Sequence, residues 1–181
     1  MNCSIHSHLT PMIKIPALVL LATIASLHGC ASYNPVPKDY SGPICVVADS
    51  GWSEDFGKAQ IFALIEVDGH PIKESFQQSR QASFNQGPLL RLVLIERPVP
   101  AQPMKVKIRG SHATGMPIHE FASRALGTFF EIEGVVDFRP NPNGKYRVAG
   151  SLSKDGAAVW IEDMTTYLPA TEKVSEPKRS E

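Results

Sequence analysis

The stretch Met104-Lys105-Val106-Lys107-Ile108-Arg109-Gly110 alternates apolar and basic side chains without a break. Successive side chains of a strand leave on opposite faces, so this period of two puts Met104, Val106 and Ile108 on a covered face and Lys105, Lys107 and Arg109 on a wet one. A helix would scatter the same residues around its circumference. Exposed lysines discourage unwanted pairing, which predicts a position towards a sheet edge.

Similar patterns lie on either side. Ile61 to Val67 sets Ile61, Ala63, Ile65 and Val67 against Phe62, Leu64 and Glu66, and the turn pair Asp68-Gly69 follows, predicting a hairpin or tight corner through His70-Pro71. Leu89 to Glu96 is apolar on both faces except at Arg91, as in a strand inside a two-layer core. Phe129 to Phe138 aligns Phe130, Ile132, Gly134, Val136 and Phe138, and a breaker-rich turn precedes Lys145 to Ser153, which aligns Tyr146, Val148, Gly150 and Leu152. Ala157 to Met164 closes the series, setting Ala158 and Trp160 against Val159 and Ile161, and Trp160 is expected to pack in the core beside them rather than to stack on a sugar. Met116 to Leu126 suits a short helix or a structured loop. The expected fold is mainly β: a single antiparallel β-sandwich of seven or eight strands over residues 44–174, immunoglobulin-like or prealbumin-like, with at most one short helix.

The first residues are of a different kind. Ile15 to Leu27 is an apolar run of 13 residues, too short for the ~20 that span a bilayer but long enough for the hydrophobic region of an export signal. Lys14 precedes it, no acid occurs before Asp39, and Met12 serves as well as Met1 for a start. The run ends at Leu27-His28-Gly29-Cys30, which resembles the bacterial lipobox, departing from it only in the bulk of His28. The resemblance implies a signal peptide over 1–29, cleavage between Gly29 and Cys30, and lipid on the Cys30 thiol. Ala31, in place of an acidic retention residue, implies an outer-membrane position facing the periplasm. A core helix and an ordinary secretory signal are the competing readings of the run.

Three cysteines are present: Cys3, Cys30 and Cys45. Cleavage removes Cys3 and lipidation occupies Cys30, so Cys45 stands alone in an apolar setting; a Cys30–Cys45 disulfide is the alternative if Cys30 carries no lipid. Pro35, Pro37 and Pro43 lie among small and polar residues, predicting a flexible stalk over 30–43, and the charged end predicts disorder over 175–181. Residues 1–29 hold one Lys and no acid, leaving 152 residues with 17 basic and 18 acidic side chains. Such a balance lacks the electropositive surface that nucleic acid requires.

The segment Gly144 to Asp163, with Ile65 to Ile72 and Arg97 to Gly110, resembles a group of small bacterial envelope lipoproteins of unknown function. The shared features are an Asp-Gly turn, a Pro-rich approach to a basic strand, and a closing Tyr-x-Val-x-Gly and Val-Trp-Ile-Glu-Asp pair. The resemblance implies a membrane attached through Cys30 and an envelope partner, and it assigns no catalytic residue.

Chemistry is sparse. There is no Gly-x-Ser-x-Gly, and Ser79, Ser83 and Ser111 stand in ordinary polar contexts. His112, His119 and Glu120 are the candidates for a metal, but seven residues between the histidines match no standard zinc spacing, and loop histidines are the plainer reading. His70 has no partner nearby. Glu162 and Asp163 leave a strand on opposite faces, so they suit a strand end and turn rather than an acid/base pair. Gly150 to Gly156 lacks the spacing of a phosphate loop. No catalytic residue and no cofactor is expected. The first functional expectation is a non-enzymatic, lipid-anchored binding or structural module; the alternative is a periplasmic metal-dependent enzyme or sensor using His112, His119 and Glu120.

Overall fold

A computed structural model describes residues 33–177. The expected signal peptide, its cleavage site at Gly29-Cys30 and the Cys30 lipid site lie outside the described residues. The described chain forms β1 (Ile44–Ala48), β2 (Ser50–Ser53), β3 (Lys58–Val67), β4 (His70–Pro71), α1 (Ser75–Ser83) and β5 (Glu96–Pro100). It continues through β6 (Met104–Thr114), α2 (Pro117–Ala125), β7 (Glu131–Phe138), β8 (Lys145–Ser153), β9 (Gly156–Asp163) and β10 (Val174–Pro177).

Two sheets face each other as an open sandwich. One has the order β10-β9-β8-β1-β5; the other runs β2-β3-β6-β7, with β4 also on β3. All pairings are antiparallel except β1 with β8. The chain changes sheets between β1 and β2, at Asp49. Between them lies one apolar core in which Phe62, Leu64, Ile108, Phe138, Val148 and Ile161 are fully buried. The Phe62 ring lies across Gly110 of β6 and Gly150 of β8; a Cβ on Gly110 would come within 2.8 Å of the ring, and one on Gly150 would also overlap it.

The alternating strands fold as their patterns require. Ile132, Val136 and Phe138 face the core from β7, as do Tyr146, Val148 and Leu152 from β8. Asp68 (φ 49°) and Gly69 (φ 79°) both take left-handed conformations, giving the twist that joins β3 to β4. In β3, Leu64 opposes Ile108 and Glu66 opposes Lys107, so Ile65 is an extra residue, a bulge. The bulge reverses the alternation after it: Val67 joins Phe62 and Leu64 in the core rather than following Ile61 and Ala63.

Several expectations are corrected. The Met104–Gly110 strand is central, paired with β3 on one side and β7 on the other. Its basic side chains are tolerated there because acids on neighbouring strands meet them: Lys105 with Asp137 at 3.0 Å, Lys107 with Glu133 at 3.0 Å, and Arg109 with Glu131 at 3.0 Å. Leu89 to Ile95 is extended but belongs to no sheet; it runs beside α1, a second helix where at most one was expected, and only from Glu96 does it join an edge strand able to hold Pro98 and Pro100. Ten strands form among the described residues rather than seven or eight, the added ones being short. Trp160 leaves the opposite face from the buried Val159 and Ile161, as the two-residue period demands, and lies under the Lys173 ammonium at 4.0 Å.

Both ends of the domain are longer than expected. Tyr33 bridges Ile72, its N–H donates to Pro71 O at 3.2 Å, its ring lies 4.7 Å from His70, and Pro35 is buried. The expected stalk is therefore docked at Tyr33–Pro35, while Pro37–Asp39 and Ser41–Pro43 are exposed. Val174–Pro177 pairs with Gly156–Val159, and Val174 packs on Gly134, so ordered chain runs past the expected boundary at 174.

Candidate functional site

The corner at Asp49 carries the densest polar contacts. Its carboxylate is fully buried and receives Leu64 N from β3 at 3.0 Å, Ser75 N and Oγ from α1 at 3.0 and 2.7 Å, and both terminal nitrogens of Arg97 from β5 at 2.8 and 2.6 Å. A buried carboxylate persists only with such company. It ties both sheets and a helix at one point. The Leu64 amide it caps lies in the gap along β3 between the stretch paired to β2 and the stretch paired to β4.

From this corner α1 lays out a row of serines. Ser75 Oγ accepts from Ile95 N at 3.1 Å, Ser79 Oγ from Val93 N at 2.9 Å, and Ser83 Oγ from Arg91 N at 2.8 Å. Four helical residues rise about 6 Å and two extended residues about 6.6 Å, so hydroxyls spaced i, i+4, i+8 match alternate amides of a strand. The three serines are buried, and Leu89–Ile95 is held by hydroxyls where a sheet would use carbonyls. Glu74 caps the helix, accepting from Phe76 N and Gln77 N.

His112 stands on β6 opposite Gln60. Nδ1 lies 3.0 Å from Phe130 N and 3.2 Å from Phe130 O, and Nε2 lies 3.0 Å from Glu54 Oε1; a carboxylate can only accept, so the neutral ring that meets Glu54 carries its proton on Nε2 and Nδ1 accepts from Phe130 N–H. Burial pushes the imidazole below its usual range, outweighing the pull of Glu54, so the contact joins a neutral ring to a carboxylate. Burial raises Glu54, but the Gln60 amide at 2.6 Å, His112 and Lys58 at 3.2 Å together hold it below the usual carboxylate range. Lys58 also donates to Thr128 O at 2.9 Å, which secures the segment after α2.

Beside this cluster, α1, α2 and β6 enclose a cleft of about 370 Å³. Phe76 and Phe129 form aromatic walls, with the Arg109 guanidinium 5.2 Å from the first ring and that of Arg124 3.9 Å from the second. Glu131 accepts from both arginines, and Arg124 foremost holds its carboxyl below the usual range. Arg80, at the cleft's margin, has no hydrogen bond or ion pair among the described residues. The lining Thr114 hydroxyl is spent on Met116 O at 3.0 Å. These walls suit an apolar or planar body with an acidic group directed at Arg80.

The three metal candidates do not converge. His112 and Glu120 reach the same cleft, but both ring nitrogens of His112 are engaged, and Glu120 is bound to Arg124 at 3.0 Å. His119 lies beside Gly57, outside the cleft lining. Among the described residues no group of three potential ligands comes together. Glu162 receives Arg147 at 2.9 and 2.6 Å, while Asp163 opens a turn by accepting from Thr165 N at 2.7 Å, so the pair ends a strand as its alternation required. Cys45 is buried in the core, and loss of solvent pushes its thiol up to about 11.

The spacing of Ser75, Ser79 and Ser83 was a readable signal for the serine row; Asp49, Arg97, Arg80 and Phe76 carried none, because their partners are remote in sequence. Compared with known protein families, with curated proteins and with solved structures, the chain shows no match.

Proposed function

We propose that the protein is a lipoprotein of the bacterial cell envelope, held in the membrane through Cys30, whose β-sandwich is a non-enzymatic binding module. The observation that carries this reading is Leu27-His28-Gly29-Cys30 at the end of a 13-residue apolar run. Tyr33, three residues after that cysteine, is already bridged to Ile72 of the domain. Each buried methylene contributes about 0.8 kcal/mol, and the two or three acyl chains implied by the lipobox resemblance make attachment lasting. Ala31 favours the outer membrane, facing the periplasm.

The binding role is supported by the cleft between the helices and by the solvent-facing apolar side of α2. The anchor is tested by Cys30→Ala in the full chain. The variant is expected in the soluble fraction after cell disruption; continued membrane association contradicts the anchor. The binding role is tested by crosslinking the anchored protein in intact envelopes, where absence of any adduct contradicts it.

A further inference from the structure

Helix α2 is amphipathic in the wrong sense for a helix that packs on its own domain. At 100° per residue, Ile118, Phe121, Ala122, Ala125 and Leu126 fall within an arc of about 140°. This apolar arc faces solvent: Ile118 is 60%, Phe121 72% and Leu126 77% exposed, and both alanines are exposed. The half-buried residues of the helix are the polar ones, His119, Glu120 and Ser123.

Exposed Met116 directly precedes the helix, and the hydrogen bond from Gly115 N to Gly57 O holds the chain beside exposed Phe56 near the start of the helix. An exposed apolar face of several large side chains is on the order of a few hundred Å², the size that marks an interaction surface, and pairing two such faces approaches the low end of specific interfaces.

We propose that this face pairs with the same face of a second copy of the chain. The arrangement of large and small residues is reciprocal. If two α2 helices run antiparallel about a two-fold axis between positions 121 and 122, Phe121 opposes the partner's Ala122 and Ile118 opposes the partner's Ala125. Each large side chain meets a small one, and the arc contains no charge to desolvate. A bilayer is the poorer occupant. Helices that lie in a membrane surface carry basic side chains free to meet headgroups, whereas α2 has no Lys and its one Arg is bound to Glu120 and Glu131.

The test is thiol crosslinking of the full chain in cells. Ala122→Cys with a short bis-maleimide is expected to give an adduct of twice the chain's mass, several-fold above the unsubstituted chain and above Lys154→Cys on the β8–β9 turn. Adding Phe121→Glu is expected to reduce that adduct at least tenfold while the circular dichroism spectrum stays unchanged, since Phe121 is exposed on the single chain. If the thiol introduced by Ala122→Cys reacts with a monofunctional maleimide yet forms no dimer, the proposal is overturned. So it is by an adduct to a different protein, or by protection of the thiol by membranes without a dimer.

Discussion

Asp49 and Arg97 show how one pair of residues can set the position of several elements. Removing the charge while keeping the shape, Asp49→Asn, leaves Arg97 buried with its partner neutralised, and a loss of about 3–5 kcal/mol is expected in denaturant unfolding. Gly150 tests packing in the same way. Gly150→Ala places a methyl group against the Phe62 ring and is expected to cost about 1–3 kcal/mol, with a relaxed Phe62→Leu background recovering part of it. His112 gives the protein a pH dependence whose sign follows from its environment. Its folded pKa lies below 6.5 because it is buried, so the unfolded chain takes up the proton first. The stability associated with His112 is complete above about pH 6.5 and falls as pH drops from there to the folded value. Glu54, held low, adds stability that is present above its unfolded value near 4.5 and is lost as pH falls through its folded value. Urea midpoints from pH 7.5 to 5 are expected to decline in the unsubstituted protein and to decline less steeply in His112→Gln; equal slopes contradict this assignment.

Elements were legible in the sequence where one face is buried and the neighbour is local. Met104–Gly110, Phe130–Phe138 and Lys145–Ser153 alternate, and each folds with the expected face inward. Pairing position was not legible: the basic face of β6 read as an edge because the acids of β7 that neutralise it lie more than 20 residues away. Leu89–Ile95 misled for a related reason. Its apolar character suggested a core strand, but only Leu90 is buried, its amides meet serine hydroxyls of α1 rather than another strand, and α1 itself has low apolar content. The serine row makes a prediction at this scale. Ser79→Ala leaves the partly buried amide of Val93 without its acceptor and is expected to cost about 1 kcal/mol, with amide exchange accelerated at Arg91–Ile95 more than in β3 or β6. Uniform acceleration across the sheets would mean that the row does not hold this segment by itself. For the candidate site, His112 and Glu120 were visible as residues, but not their use: both are committed to neighbours that only the fold supplies.

At the scale of the molecule, the docked N-terminal segment and α2 sit at opposite ends of one sheet. Tyr33 lies beside β4, which pairs with Glu66 and Val67, whereas α2 follows Thr114, which pairs with Lys58 at the other end of β3. The eight residues between those points span about 26 Å. A lipid on Cys30 would therefore be attached near one end of the domain, with the cleft and the apolar face of α2 near the other. This arrangement gives the proposed anchor and the proposed contacts separate places. The anchor depends on what happens at Cys30, and mass spectrometry of the N-terminal peptide from the membrane fraction tests it most directly. The account predicts a peptide that begins at Cys30 and carries diacylglycerol on its sulfur; a chain that retains residues before Cys30, or begins there with a bare thiol, contradicts it.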